Sequence, residues 1–158
     1  MARPRLVVYV SRTGTTAAVA AWLAARLDAD LHDLAPRRDL AGLGGLARIA
    51  AGALNLSRET APPITLGGRR LVVLAAPIWF LAPAHPLHEF VRAHRLDGAD
   101  VLVVLTMTTG CRQVALRRLR SDIEAAGGRC LGVHALKVRP GDPPSELLAP
   151  LLSDLHLP

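Results

Sequence analysis

The sequence lacks the features that define several large classes of protein. It has only two cysteines, Cys111 and Cys130, which are too few for a disulfide framework. Its most apolar stretch, residues 71–87, is interrupted by prolines, and this argues against a membrane-spanning helix. The amino terminus leads directly into an apolar run and lacks the cleavage pattern of a signal peptide. These absences predict a cytoplasmic protein with reduced thiols and no membrane partner.

Lysine and aromatic residues are scarce as well. Lys137 is the only lysine, and aromatic residues make up 3% of the chain, yet the formal net charge is +6. A nucleic-acid surface usually combines a clustered basic face with exposed aromatics, whereas the arginines here are scattered along the chain. The composition therefore argues against a nucleic-acid partner, while the positive charge favours a partner of acidic character.

Strand and helix patterns alternate along the chain. Its 158 residues, 51% of them hydrophobic, are enough for one domain with a sizeable core, residues 1–158. Apolar runs predict strands over residues 6–10, 29–34, 71–76, 100–106 and 130–138. Apolar spacing predicts helices over residues 15–27, 87–94, 114–126 and 145–155, with a loose or broken helix from Arg37 to Pro63. We therefore expect an α/β fold, a doubly wound five-stranded parallel sheet with right-handed crossovers and strand order 2-1-3-4-5.

The first crossover, Val7–Ala20, has the composition of an anion-binding loop. An apolar run ends at hydroxyl residues and Gly14, and an alanine-rich helical pattern follows at once. The first turn of a helix presents unpaired backbone N–H groups and the positive end of the helix dipole, which suit a phosphate. Hydroxyl donors surround the same point: Ser11, Thr13, Thr15 and Thr16. An ordinary turn with capping hydroxyls would have a similar sequence, so both interpretations stay open here.

Two well-known phosphate-binding motifs are absent. The sequence contains no Gly-Lys-Ser or Gly-Lys-Thr, which excludes the phosphate loop of nucleoside triphosphatases. It also contains no three-glycine fingerprint, which excludes the dinucleotide-binding loop. The first crossover is therefore neither of these two phosphate-binding loops.

Two further loops follow the third and fourth predicted strands. Trp79 and Phe80 lie in a proline-flanked stretch after the third strand, and a small, hydroxyl-rich stretch, residues 107–111, follows the fourth. In strand order 2-1-3-4-5 the order reverses between strands one and three, and ligands bind at the carboxyl ends of the strands there. The topology therefore predicts that these two loops and the first crossover meet in one binding site.

Two motifs together resemble those of the flavodoxin family, most closely its bacterial short-chain group. They are Ser11-Arg12-Thr13-Gly14-Thr15-Thr16 and Ala76-Pro77-Ile78-Trp79-Phe80, and the resemblance extends from about Leu6 to about Val138. It implies a non-covalently bound FMN. Its phosphate would be held by Ser11, Thr13, Gly14, Thr15 and Thr16, and Arg12 in the same motif would also belong to the cofactor site. Its ring would be flanked by Pro77, Ile78, Trp79 and Phe80, with Trp79 stacking, and by Thr106, Met107, Thr108, Thr109, Gly110 and Cys111.

The resemblance implies a redox protein that transfers electrons through the bound flavin. Three features depart from the family pattern: Ala76 replaces the common Gly or Ser, the loop after the fourth strand has no Tyr, and the chain is basic where carrier flavodoxins are acidic. The redox partner of a basic carrier would be an acidic protein. Two alternatives stay open: an FMN-dependent reductase of a small-molecule substrate such as a quinone, and a flavodoxin-fold binding or regulatory module that has lost FMN.

Other candidate residues have two interpretations each. His85 could donate to the flavin or a substrate, or it could simply begin a helix. Cys111 could be a reactive thiol or a small buried residue. No cysteine or carboxylate set complements the histidines, so no metal site is expected. Four arginines lie in, or just before, the helix predicted over residues 114–126. They are expected on a solvated face, where they are the best candidates for contact with an acidic partner: Arg112, Arg117, Arg118 and Arg120.

Overall fold

The computed structural model describes residues 3–35, 64, 66–108, 110, 113–139 and 141–154. The broken helix expected between Arg37 and Pro63 lies outside these residues. Strands and helices alternate in the order β1 Arg5–Val10, α1 Thr15–Arg26, β2 Asp30–Ala35, β3 Leu71–Trp79, β4 Ala82–Pro83, α2 His85–Ala93, β5 Asp100–Met107, α3 Gln113–Ala125, β6 Arg129–Lys137 and α4 Pro144–Asp154.

Five of the strands form a parallel sheet in the order β2-β1-β3-β5-β6. The sixth, β4, is two residues long and pairs only with β3, in antiparallel orientation. Without β4 the order is the expected 2-1-3-4-5, so the predicted fold class is confirmed. The order reverses at β1, because β2 lies on one side of it and β3 on the other.

The central strands are buried on both faces because helices cover the sheet on two sides. Adjacent residues of β1 point in opposite directions, as a pleated strand requires: Val8 packs in the cluster that contains Phe90 of α2, whereas Val7 packs with Leu23 of α1 and Leu148 of α4. The helix α3 shares the face of α2. This two-sided burial explains why the strands are continuously apolar rather than alternating.

The third strand is longer than the sequence pattern predicts. It was expected over residues 71–76, but it continues to Trp79 and turns back into Ala82–Pro83 as a hairpin. The two residues of the turn, Phe80 and Leu81, both have positive φ, at 51° and 66°. Positive φ at both positions is the geometry of the type I′ turn, which usually selects Asn and Gly. Two large apolar residues therefore hold a backbone shape that they rarely adopt.

The boundaries of two helices also differ from expectation. The last helix begins at Pro144, one residue before the predicted start. Proline is common in the first helical position, because its fixed φ suits the helix and its missing N–H would have no partner there. The helix α2 begins at His85, two residues before the predicted start, and ends at Ala93.

Ion pairs fasten the edge of the sheet where the strands begin. Arg69 is almost fully buried, and its guanidinium donates to the Asp30 carboxylate at 2.6 Å and to the backbone carbonyls of Arg3 and Arg5. These contacts link the segment before β3 to β1 and β2. The hydrogen bond from Arg69 holds the pKa of Asp30 below its ordinary value. Within the described ranges, no helix has both the length and the apolar character that a membrane span requires.

Candidate functional site

A cavity of about 290 Å³ lies where the carboxyl ends of the parallel strands meet. It receives residues from the β1–α1 loop, from the ends of β3 and β5, and from the residue after β6. Its lining consists of Arg12, Thr13, Thr15, Thr16, Pro77, Ile78, Trp79, Thr106, Met107, Thr108 and Val138. This is the reversal point of the strand order, where open α/β sheets bind their ligands.

The loop between β1 and α1 is shaped by one glycine and one buried serine. Gly14 precedes the first helical residue with φ at 97°, in the left-handed region where a side chain is disfavoured. Its backbone N–H donates to the Ser11 hydroxyl oxygen at 3.1 Å, and Ser11 itself is buried. The serine hydroxyl therefore helps to close the turn, and the start of α1 that follows the turn lies at the cavity.

The start of α1 has no side-chain cap. Gly14 has no side chain that could accept a hydrogen bond from the first turn, and its carbonyl accepts the first helical bond from Ala18 at 2.9 Å. The N–H groups of Thr15, Thr16 and Ala17 precede that bond, so they have no acceptor within the helix. Such a helix start, with the positive end of the dipole behind it, attracts an anion.

The side chains around this helix start are all suited to an anion. Arg12 is exposed at the cavity and forms no ion pair with any carboxylate of the described segments. The hydroxyls of Thr13 and Thr15 lie 3.4 Å apart on the same side. Among the residues that the structure describes, the cavity lining contains no Asp or Glu. Charge and donor chemistry therefore agree that this end of the cavity favours a negatively charged group.

A buried pair of hydroxyls joins two parts of the site. The oxygens Oγ1 of Thr16 in α1 and Oγ1 of Thr106 in β5 lie 2.7 Å apart. Both residues are buried, with 2% and 5% of their surfaces exposed, and both line the cavity. Thr106 pairs with Pro77 across the sheet, so the hydroxyl pair lies beside the wall formed by β3.

Another part of the cavity lining is apolar. Pro77, Ile78 and Trp79 line it, and Ile78 and Trp79 also pack against the hydrophobic core. The hairpin between β3 and β4 holds this wall, because Ala84 N–H donates to the Pro77 carbonyl at 3.0 Å. The wall therefore offers a flat apolar surface whose position is fixed by the sheet.

The structure brings most of the predicted site residues into the cavity and leaves some outside it. Thr13, Thr15 and Thr16 of the first motif line the cavity with Arg12, whereas Ser11 and Gly14 shape the loop behind them. Phe80 points away and is 68% exposed. Gly110 is not part of the lining, and Thr109 and Cys111 lie outside the described residues. Val138 was not foreseen, since only the sheet order brings the end of β6 to this cavity.

His85 lies outside the cavity, in a cluster between α2 and α3. Its Nε2 is 3.8 Å from the Glu89 carboxylate, and Nδ1 of His88 is 3.5 Å from that of Asp122. Arg92 approaches both carboxylates at 3.7 Å. Burial lowers the pKa of His88, and the nearby Asp122 offsets part of this decrease. The cluster links two helices and is separate from the candidate site.

Other candidates from the sequence are also accounted for. Among residues with described positions, no group of three or more His, Cys, Asp or Glu side chains could hold a metal ion. Burial raises the pKa of the Cys130 thiol, so at neutral pH this cysteine is protonated. Arg117 and Arg118 are exposed on α3, and Arg120 lies 3.9 Å from Glu124. Arg112 lies outside the described residues.

Comparison with known proteins identifies the architecture. No protein-family model and no curated protein matches the sequence. Solved structures do match: a Bacteroides eggerthii protein, provisionally named a flavoprotein, has 21% identity and a TM-score of 0.71 over 98% of each chain. The chain has the flavodoxin-like fold.

Two further structures share this flavodoxin-like fold. A Lactobacillus acidophilus flavoprotein in complex with FMN has 15% identity and a TM-score of 0.65, over 83% of this chain and 91% of that protein. Flavodoxin 2 from Bacillus cereus, in its oxidised form, has 14% identity and a TM-score of 0.63, over 96% and 97% of the two chains. The predicted flavodoxin-like architecture is therefore confirmed along nearly the whole chain.

Proposed function

We propose that this flavodoxin-like chain binds FMN non-covalently in the cavity and transfers electrons through it. The observation that carries the proposal is the cavity itself, whose lining combines an uncapped helix start and Arg12 with the apolar side chain of Trp79. FMN has the matching chemistry, because it joins an anionic phosphate to a flat aromatic ring. The FMN complex of the Lactobacillus acidophilus protein, which has the same fold, supports the choice of ligand.

The phosphate belongs at the start of α1. Backbone N–H groups of the first turn, the hydroxyls of Thr13 and Thr15, and the guanidinium of Arg12 are the donors available there. Together they offer several donors to one phosphate, and the described part of the lining has no acidic group that would repel it. Ser11 and Gly14 contribute by holding the loop in shape. The phosphate would thus be bound by the positive charge of Arg12 as well as by neutral hydroxyl and backbone donors.

The ring belongs against the apolar wall. Pro77, Ile78 and Trp79 provide one surface, and Met107 and Thr108 lie on the side of β5. The bound flavin supplies the electron-transfer chemistry, and the protein supplies orientation and an electrostatic environment. A wall packed on the core keeps that environment constant, since its side chains are fixed by the sheet.

The charge of the chain indicates the kind of redox partner. The formal net charge is +6, and both Arg12 and the arginines Arg117 and Arg118 are exposed. Opposite charges steer proteins together and increase their association rate. An acidic redox protein therefore suits this carrier, and its association should slow as the salt concentration increases.

A second candidate is an FMN-dependent reductase of a small molecule of quinone type. The observation that favours it is the sequence from the last residue of β5 onward, Met107-Thr108-Thr109-Gly110-Cys111, which has no aromatic residue to cover a bound ring. An uncovered ring face would leave room for a small substrate. A reductase would oxidise reduced nicotinamide and turn over a quinone without another protein, whereas a carrier would need a separate reductase.

Flavin binding and catalysis can be tested in sequence on the full chain. The protein is first titrated with FMN and with riboflavin, and the proposal predicts one FMN per chain with much weaker binding of riboflavin, which lacks the phosphate. The loaded protein is then mixed with NADH or NADPH and a quinone. Rapid turnover identifies the reductase, and its absence identifies the carrier. Failure to bind either flavin would contradict the proposal and would favour a module that has lost FMN.

A further inference from the structure

The Thr16–Thr106 hydroxyl pair has one hydrogen that the pair itself does not use. Two threonine hydroxyls carry two hydrogens, and the 2.7 Å contact between the oxygens uses one of them. Neither hydroxyl has another hydrogen-bond partner among the described residues. Both are buried and line the cavity, so a group bound inside it can accept the second hydrogen.

The position of the pair determines which hydroxyl keeps that hydrogen. Thr16 is the second residue of α1 and lies in the turn whose backbone N–H groups are uncapped. An anion held at this turn attracts the nearest available hydrogen, because hydrogen bonds to charged acceptors are stronger than those to neutral ones. The favoured arrangement therefore has Thr106 donating to Thr16 and Thr16 donating to the anion.

We infer that Thr106 is a positioning residue for the phosphate of the bound flavin and acts through Thr16. The inference rests on the proposed FMN function, and it assigns Thr106 to the phosphate end rather than to the ring, which its place at the end of β5 had suggested. The Thr106 hydroxyl holds Thr16 Oγ1 as a donor and polarises it, since hydrogen bonds in a chain strengthen one another. One buried contact thus couples the start of α1 to the end of β5.

Four variants test this coupling: Thr106→Val, Thr106→Ser, Thr16→Val and the double valine variant. Valine has nearly the shape of threonine and lacks the hydroxyl, whereas serine keeps it. For each protein, dissociation constants are measured for FMN and for riboflavin, and their ratio reports the contribution of the phosphate alone. A change in packing or folding would affect both flavins and leave the ratio unaltered.

We expect Thr106→Val to lower the preference for FMN over riboflavin by roughly threefold to tenfold, the usual effect of one hydrogen bond. Thr106→Ser should restore most of the preference. In the Thr16→Val background, Thr106→Val should cause no further change, because the residue through which it acts is already gone. Thermal unfolding of each variant reports stability separately from flavin binding.

Three results would overturn the inference while the FMN function stands. An equal loss of FMN and riboflavin affinity would mean that Thr106 acts on the ring or on the packing of the site and not on the phosphate. The same loss of preference in both backgrounds would mean that Thr106 contacts the phosphate without Thr16. Unchanged affinities for both flavins in Thr106→Val would mean that the pair serves only the fold. Wild-type protein that binds neither flavin would instead contradict the proposed function, and the inference would fall with it.

Discussion

The backbone N–H of Gly14 donates a hydrogen bond to the hydroxyl of Ser11, three residues earlier, at 3.1 Å. This bond closes the loop that joins β1 to α1, and Ser11 is buried beneath it with 2% of its surface exposed. A serine that resembles a phosphate ligand in the sequence is therefore also part of the structure that presents the other ligands.

Ser11→Ala should destabilise the protein, because it leaves the Gly14 N–H without its acceptor. We expect the free energy of unfolding to fall by about 1–2 kcal/mol, the usual cost of one lost partner in a buried hydrogen bond. Urea denaturation measures it. Ser121→Ala, at an exposed position of α3, is the matched control and should change the value by less than about 0.5 kcal/mol. Equal effects of the two substitutions would show that the Ser11 bond contributes nothing.

A side chain at Gly14 should disturb both the fold and the site. Gly14 has φ at 97°, and Gly98, in the turn before β5, has φ at 75° with open space around it. Gly14→Ala and Gly98→Ala should each cost about 1 kcal/mol of stability, because a Cβ is disfavoured in this region. Only Gly14→Ala should weaken FMN relative to riboflavin. A similar loss of FMN binding in both variants would show that the loop at Gly14 does not bind the phosphate.

Arg12 should contribute a charge to phosphate binding. Arg12→Gln is expected to weaken FMN by roughly tenfold at low salt and to leave riboflavin unchanged, because only FMN carries the anion. The difference between wild type and variant should shrink as salt increases, since Arg12 is exposed and its charge is screened. Arg26→Gln, at the other end of α1, should have no effect. Isothermal calorimetry with both flavins at two salt concentrations decides the matter.

The histidine His88 should make stability depend on pH in the mildly acidic range. Burial lowers its pKa in the folded protein, so the unfolded chain takes up a proton at a higher pH than the folded one. Stability should therefore fall as the pH drops below 6.5, the ordinary pKa of histidine. Burial also lowers the pKa of His134, which acts in the same direction.

His88→Gln should flatten this pH dependence and leave the part that comes from His134. His134→Gln should remove the contribution of His134 and leave that of His88. Arg69 lowers the pKa of Asp30, and Arg129 lowers the pKa of Asp100. Stability should therefore fall again below pH 3.8, the ordinary pKa of aspartate, and this second decrease should remain in both variants. Urea denaturation at a series of pH values separates the two ranges. Identical curves for wild type and His88→Gln between pH 7 and pH 5 would contradict this role of His88.

The sheet could be predicted from the sequence because its signals are local. The central strands β1, β3 and β5 are short β-branched or leucine-rich runs that both layers of helices bury, and each helix repeats its apolar residues every three or four positions. Val19, Leu23 and Leu27 are spaced in this way, and all three are buried. Periodicity of this kind depends only on the backbone geometry of one element, so it can be detected without knowledge of its neighbours.

The hairpin after β3 could not be predicted in the same way. Pro77 lacks an N–H and usually ends a central strand, yet here it pairs with Thr106 on β5. The strand tolerates it because β1 pairs with β3 only as far as Ala75, so on that side Pro77 has no strand partner that needs its N–H. The positive φ values at Phe80 and Leu81 contradict local preference as well.

Predicting the cavity from the sequence required both the motifs and the sheet topology. The hydroxyls of the first crossover and the wall from Pro77 to Trp79 stand out in the sequence, and sheet order predicts that they meet. The contact between Thr16 and Thr106 does not stand out, because 90 residues separate the two and threonine is common in both helices and strands. Val138 reaches the cavity only because β6 lies beside β5.

The most direct test of the account is the visible absorption spectrum of the purified full chain, recorded before and after addition of FMN. The account predicts flavin absorption bands at one equivalent per chain, and denaturation should release FMN rather than riboflavin or FAD. A chain that stays colourless, and leaves the fluorescence of added FMN unchanged, would contradict the central claim that the cavity beside Arg12 and Trp79 is a flavin site.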